Sequence, residues 1–162
     1  MDENLTRRLA EVARIAVRLE SDTGVPARLL IGQWAVESKW GAKPVGDANY
    51  FGIKKAVRHT KFCTMMTREV IAGQEWRLRL EFADYDSLED SCCDYAWLIS
   101  HGDPYRAAWD HYQQTGDFCA LVDSMAKTYA TDPGYGALLK EIAAQANVGT
   151  AIHAVQEVTV RA

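Results

Sequence analysis

The sequence predicts an α+β fold, mostly helical, with one small β-hairpin set into it. Three observations predict this. Residues 26–40 are apolar on nearly all sides of a helical wheel, as in a buried helix. Residues 62–82 change to an alternating apolar/polar pattern interrupted by a glycine-containing turn. The second half repeats a device in which Ser or Asp precedes an apolar-periodic run, the mark of a helix start.

The 162 residues are enough for a single domain with a real core, and 48% hydrophobic and 25% charged residues are ordinary for a globular chain. The formal net charge of -4 comes with no basic stripe, which argues against nucleic acid as a partner. No run approaches the ~20 apolar residues of a membrane span. The opening MDENLTRRLAEVARIAVRLE carries charges every few residues and does not read as a signal peptide. Cysteines at 63, 92, 93 and 119 and histidines at 59, 101, 111 and 153 lack zinc spacing, so no metal and no cofactor are expected. The cysteines read as mostly buried small hydrophobes.

In chain order, Leu5, Leu9, Val12, Ala13, Ala16 and Leu19 give an amphipathic helix over 4–20, and SDTGV at 21–25 reads as a turn. Pro26 then suits a first helical position, while Gly41 and Pro44 suit a stop. In the hairpin, Trp76, Leu78, Leu80 and Phe82 alternate with Arg77, Arg79 and Glu81. The partner strand runs from about Phe62 to Ile71, with Ala72-Gly73-Gln74 as the turn. Ser87 with Asp90 resembles a capping box for a helix to Ile99. Asp103-Pro104 opens a helix to Tyr112, Asp117 one to about Tyr129, and Asp132-Pro133 one to about Ala146. The segment from Val148 to Ala162 is an ambiguous tail, either strand or disordered.

Glu37 is the chemical clue. The polar sector of the central helix holds Arg28, Gly32 and Lys39, but Glu37 lies on the arc of Leu30, Trp34 and Trp40, beside Gln33. A desolvated carboxyl has a raised pKa, and one protonated near neutrality can act as a general acid. Trp34 and Trp40 are expected to keep it dry. The alternative is a structural acid satisfied by backbone or arginine.

The run QWAVESKWG at 33–41, followed by NYFGIK at 49–54, is similar to the signature of the glucosaminidase family of peptidoglycan hydrolases. That family includes flagellar rod-cap muralytic enzymes, autolysins and phage lysins. YATDPGY at 129–135 resembles its second block, and Thr67-Arg68-Glu69 and FADYDS at 82–87 also fit, so the likeness covers roughly residues 5–146. The resemblance implies a lysozyme-like fold with the substrate groove between two lobes. Residues 1–147 would be the catalytic domain, with a β-lobe at about 50–85, and 148–162 a C-terminal tail.

What the resemblance implies for chemistry is an endo-β-N-acetylglucosaminidase cutting β-1,4 bonds of cell-wall glycan. Glycoside cleavage usually takes an acid and a second carboxylate. Glu37 is the expected acid, and Glu69 is the family's second acid. Glu75 and Glu81 read as the polar face of their strand. Tyr129 is placed in the cleft near the acid, while Tyr135 reads as packing and Asp132 as a helix cap. Gln33, Asn49, Tyr50 and Phe51 are expected to bind substrate, an aromatic stacking on sugar and an amide bonding an N-acetyl group. Two other enzyme readings cut the same polymer, a muramidase and a lytic transglycosylase. A catalytically silent wall-binding module and a chitinase-like enzyme are the remaining readings. The expected protein is a monomer whose partners are peptidoglycan glycan strands. It would act on the bacterial cell wall, in the periplasm or outside the cell, with no export signal in the chain.

Overall fold

A computed structural model describes residues 2–161, without the side chains at 68–71 and 161. Helix α1 (Glu3–Thr23) opens on Asp2, whose carboxylate accepts from the Asn4 amide at 3.2 Å, and buries Leu9, Val12, Ala13, Ala16 and Leu19. It runs three residues past the expected end. The stretch SDT forms its last turn, and the chain leaves the helix at Gly24, whose left-handed φ of 80° closes the end on the Glu20 carbonyl.

Helix α2 (Ala27–Glu37) buries every residue from Leu29 to Ala35. The expected stop at Gly41 comes early, because Lys39, Trp40 and Gly41 all take positive φ (51°, 59° and 75°). The chain curls here under Trp34, where a Cβ on Gly41 would lie 2.5 Å from the indole. Only glycine fits that approach. Glu37 is therefore the last residue of α2.

Strands β1 (Phe62–Ile71) and β2 (Gln74–Ala83) pair antiparallel, from Phe62 opposite Ala83 to Ile71 opposite Gln74. The two-residue turn Ala72-Gly73 has both φ values positive (51° and 78°), the geometry whose twist matches a right-handed hairpin. The hairpin root is tied to the preceding loop by a bridge between Lys54 and Phe82. Next to it, Asp94 accepts from Arg58, His59 and Tyr85, binding residues 58–59 to the helix that follows.

That helix, α3 (Leu88–His101), starts at Ser87, whose hydroxyl accepts from the Asp90 amide at 3.1 Å. A short 3₁₀ turn (Asp103–Tyr105) carrying Pro104 leads into α4 (Arg106–Thr115). Asp117 caps α5 (Phe118–Tyr129) through the Ala120 amide at 2.9 Å. Asp132 accepts from the Gly134 amide at 2.8 Å and so fixes the turn before α6 (Tyr135–Ala143), which begins two residues later than its Asp-Pro pair suggests.

The segment expected as a tail from 148 is helix α7 (Ala146–Arg161), packed on α1 and α2 with Val148 fully buried. Its β-branched residues take helical geometry because Val148, Ile152 and Val155 share one face against the core. The cysteines also depart from expectation: only Cys92 is buried, Cys63 is half-buried, and Cys93 and Cys119 are exposed. Among the described residues, no helix is long and apolar enough to cross a membrane. Helix α2 lies at the centre, touching α1, α3, α6 and α7, so whatever stands at its end is held from several sides.

Candidate active site

Glu37, at the C-terminus of α2, is partly exposed. Its Oε1 accepts a hydrogen bond from the Tyr135 hydroxyl at the start of α6. Its Oε2 looks toward Gly52, where an added Cβ would sit 3.3 Å away. Gly52 has φ +63°, so both its backbone and its neighbour favour the absence of a side chain. Burial pushes the Glu37 carboxyl above its ordinary value, and the Tyr135 bond draws it back only in part.

The surroundings are tyrosines. Tyr129 and Tyr135 stack with centroids 6.1 Å apart and planes 8° from parallel. Tyr95 and Tyr105 stand against Tyr129 at 6.5 and 6.1 Å, and Phe51 stacks on Tyr95 at 4.4 Å. Burial pushes all four hydroxyls up, Tyr105 to about 12, and the nearby Glu37 charge adds to the rise at Tyr135, Tyr129 and Tyr95. These phenols stay protonated and act as donors. The tryptophans are elsewhere: Trp34 and Trp40 meet edge to face at 6.2 Å, and Trp34 lies under Gly41. The contacts made to the carboxyl come from Tyr135 and Gly52.

Several expected sugar contacts hold structure instead. Asn49 is 1% exposed and spends its whole amide locally: Nδ2 donates to the Ile53 and Ala83 carbonyls, and Oδ1 accepts from the Phe51 and Ile53 amides. It shapes the loop that brings Gly52 to Glu37, with nothing left over for an N-acetyl group. Phe51 is fully buried against Tyr95. Gln33 is fully buried between Tyr95 and Tyr135. Tyr50 lies in a separate recess beside Arg8, Glu11 and Leu88.

Of the two motif tyrosines, Tyr135 departs from its expected role, while Tyr129 lines the grooves. Tyr135, read as packing, is the one bonded to Glu37. The Tyr129 hydroxyl donates to the Phe51 carbonyl, while part of its ring faces the grooves. Tyr95 and Gly52 were missed altogether. Gly52 stands inside NYFGIK, and a glycine between Phe51 and Ile53 was the available signal for a close backbone approach. The backbone of Glu69 pairs with that of Trp76 on the hairpin, while its side chain lies outside the described residues.

Two grooves flank this centre. The larger, about 1120 Å³, runs between the hairpin root and α5–α6 and is lined by Lys54, Phe82, Lys127, Tyr129 and Thr131 among others. The smaller, about 260 Å³, is lined by Gly52, Lys54, Tyr105 and Tyr129. Tyr129 and Lys54 belong to both. Alternate residues of β2 share one face, so Trp76, Leu78 and Leu80 continue the side from which Phe82 lines the larger groove. A partly desolvated acid with one oxygen held and the other beside a groove wall is equipped to donate a proton to a bound ligand.

Known proteins resemble this chain in sequence and in fold. Peptidoglycan hydrolase FlgJ of Pseudomonas aeruginosa is 29% identical over 90% of this chain and 38% of its own length. A probable N-acetylmuramidase of Lactococcus lactis is 28% identical over 86% of this chain and 33% of its own. The chain thus spans little more than a third of these relatives. Among solved structures, the catalytic domain of the autolysin Auto from Listeria monocytogenes superposes with a TM-score of 0.77 at 23% identity, covering 93% of this chain and 89% of that one. A mutant peptidoglycan hydrolase from Sphingomonas sp. A1 gives 0.72 at 26% identity, with 94% and 99% covered. The profile described as mannosyl-glycoprotein endo-beta-N-acetylglucosaminidase matches residues 13–148, and on that match the chain belongs to the glucosaminidase family.

Proposed function

We propose that the protein is a peptidoglycan hydrolase, an endo-β-N-acetylglucosaminidase that cleaves β-1,4 bonds of the wall glycan with Glu37 as general acid. The observation that carries this is the carboxyl at the end of α2, raised by burial and bonded on one oxygen only. The named relatives, peptidoglycan hydrolases among them, support the polymer. Glu69, on strand β1 of the hairpin, serves as the second carboxylate, and Tyr129 lines the groove beside the acid. The glycan strand lies across both grooves, which share Tyr129 and Lys54, so that a glycosidic oxygen can reach Gly52 and Glu37. The protein acts as a monomer, at the bacterial wall in the periplasm or outside the cell.

A second reading has its own support. Glu37 is the only carboxylate among the described residues whose pKa is raised, and lytic transglycosylases work with a single acid. The Lactococcus relative is also named a probable muramidase. Mass spectrometry of digested muropeptides separates the readings. Reducing N-acetylglucosamine ends are expected, whereas anhydro ends or reducing muramic acid would transfer the assignment to the other bond.

A further inference from the structure

We infer that the buried chain Tyr95–Gln33–Tyr135 fixes which oxygen of Glu37 carries the acidic proton, leaving Oε2, beside Gly52, as the atom that hands it over. The inference rests on reading Glu37 as the general acid. It makes Tyr95, Gln33 and Tyr135 positioning residues.

Proton counting starts from the deep end. Tyr95 is fully buried, and among the described residues Gln33 is the only hydrogen-bond partner of its hydroxyl. A phenol has one proton to place, and leaving it without an acceptor in the core is costly. The Gln33 carbonyl must therefore face Tyr95. That turns its NH₂ toward Tyr135, where Nε2 stands 3.0 Å from the hydroxyl oxygen. An NH₂ only donates, so the Tyr135 oxygen accepts from it. The proton of Tyr135 then goes to its other neighbour, Glu37 Oε1. The opposite orientation of Gln33 would strand the Tyr95 proton. A tyrosine that does not touch the acid thus decides how the acid is bonded.

With Oε1 occupied as an acceptor, the proton of the neutral acid resides on Oε2. That oxygen points at Gly52, which lines the smaller groove and carries no side chain to cover it. In the transfer, the Oε2–H bond breaks and the proton joins the bridging oxygen of the glycoside. The bond between the anomeric carbon and that oxygen breaks with its electron pair on the oxygen, which leaves as a hydroxyl, and a water adds to the anomeric carbon and gives up its proton to a carboxylate. Glu37 is left as a carboxylate, and the Tyr135 bond, stronger to a charged than to a neutral acceptor, stabilises it. The relay therefore acts on the state that follows proton release.

The test is ¹³C NMR titration of the Glu37 side-chain carboxyl in wild type, Tyr135→Phe and Tyr95→Phe, alongside the pH profile of kcat. Tyr135→Phe removes the donor to the carboxylate, so the midpoint rises, by about one pH unit. The alkaline limb of kcat, which reports the acid losing its proton, moves up with it. Tyr95→Phe frees the Gln33 amide to turn, lets Tyr135 donate partly to Gln33, and raises the midpoint in the same direction by less. A purely structural Tyr95 would lower the melting temperature and leave the midpoint in place, and an unmoved or lowered midpoint in folded Tyr95→Phe overturns the relay. Should that variant not fold, Gln33→Leu reads the same relay: Tyr135 keeps Glu37 as its sole acceptor, so the midpoint stays near the wild-type value, and a fall, which would mean that Tyr135 had been donating to Gln33, overturns it. The titration needs no turnover. A failure of glycan cleavage with the shifts intact would sink the proposed reaction and leave the relay standing.

Discussion

The two sides of the cleft are built to different standards. Around Glu37, side chains from α2, α3, α5, α6 and the 49–53 loop meet in a buried set whose polar atoms are nearly all matched. The hairpin opposite is exposed along most of its length: Met66 is 60% and Trp76 50% accessible, and β2 buries only Phe82 and Ala83 at its root. A lone two-stranded ribbon has little stability of its own, so this one depends on its root and its ladder. The difference teaches where positional accuracy resides. The acid side is rigid, and the second carboxylate is proposed on an element free to adjust to the strand it meets.

Breaking the rigid side should have the largest effect. Glu37→Gln is expected to slow clearing of purified sacculi by about 10²–10⁴-fold, the usual contribution of a general acid. Equal clearing by both proteins would exclude the mechanism. The same variant sharpens the comparison through stability. A carboxyl whose folded pKa is raised stabilises the fold fully below its ordinary value and loses that contribution as pH rises through the folded value. Glu37→Gln should therefore melt higher than wild type at neutral pH, with the gap closing as pH falls through the raised folded value and closed below 4.5, as followed by thermal denaturation across pH.

Asn49→Ala comes next. It strands two carbonyls and two amides behind Gly52. A loss of about 3 kcal/mol is expected, or roughly 6–12 °C in melting temperature by calorimetry. The smallest effect belongs to the other wall. Trp76→Ala should change stability by less than about 0.5 kcal/mol, since half of the side chain is already in water. Its signature is instead a raised KM for glycan at unchanged kcat. A large drop in stability would mean that the hairpin is packed as tightly as the helical side.

What the sequence disclosed follows the range of the interaction. Ser87, Asp117 and Ala72-Gly73 bond or bend within a few residues of themselves, so caps and turn could be read directly. The wheel put Glu37 off the polar sector, which is again a local property. It could not say what faced the acid. Tyr129 and Tyr135 share one motif and one residue type, and only the packing of α6 on α2 decides which reaches the carboxylate. Asn49 looked like a ligand contact because an amide is equally suited to bonding a sugar or its own loop. The final helix was missed because β-branched residues disfavour isolated helices, while burial of Val148 against the core overrides that preference.

The residue that grips Glu37 arrives 98 positions later in the chain. A ribosome would have to release most of the polypeptide, and α6 would have to dock, before the proposed acid gains its donor. On the proposed mechanism, fragments ending short of Tyr135 would carry Glu37 without that hydrogen bond. The proposed acid would thus be completed late and all at once, by docking of α6.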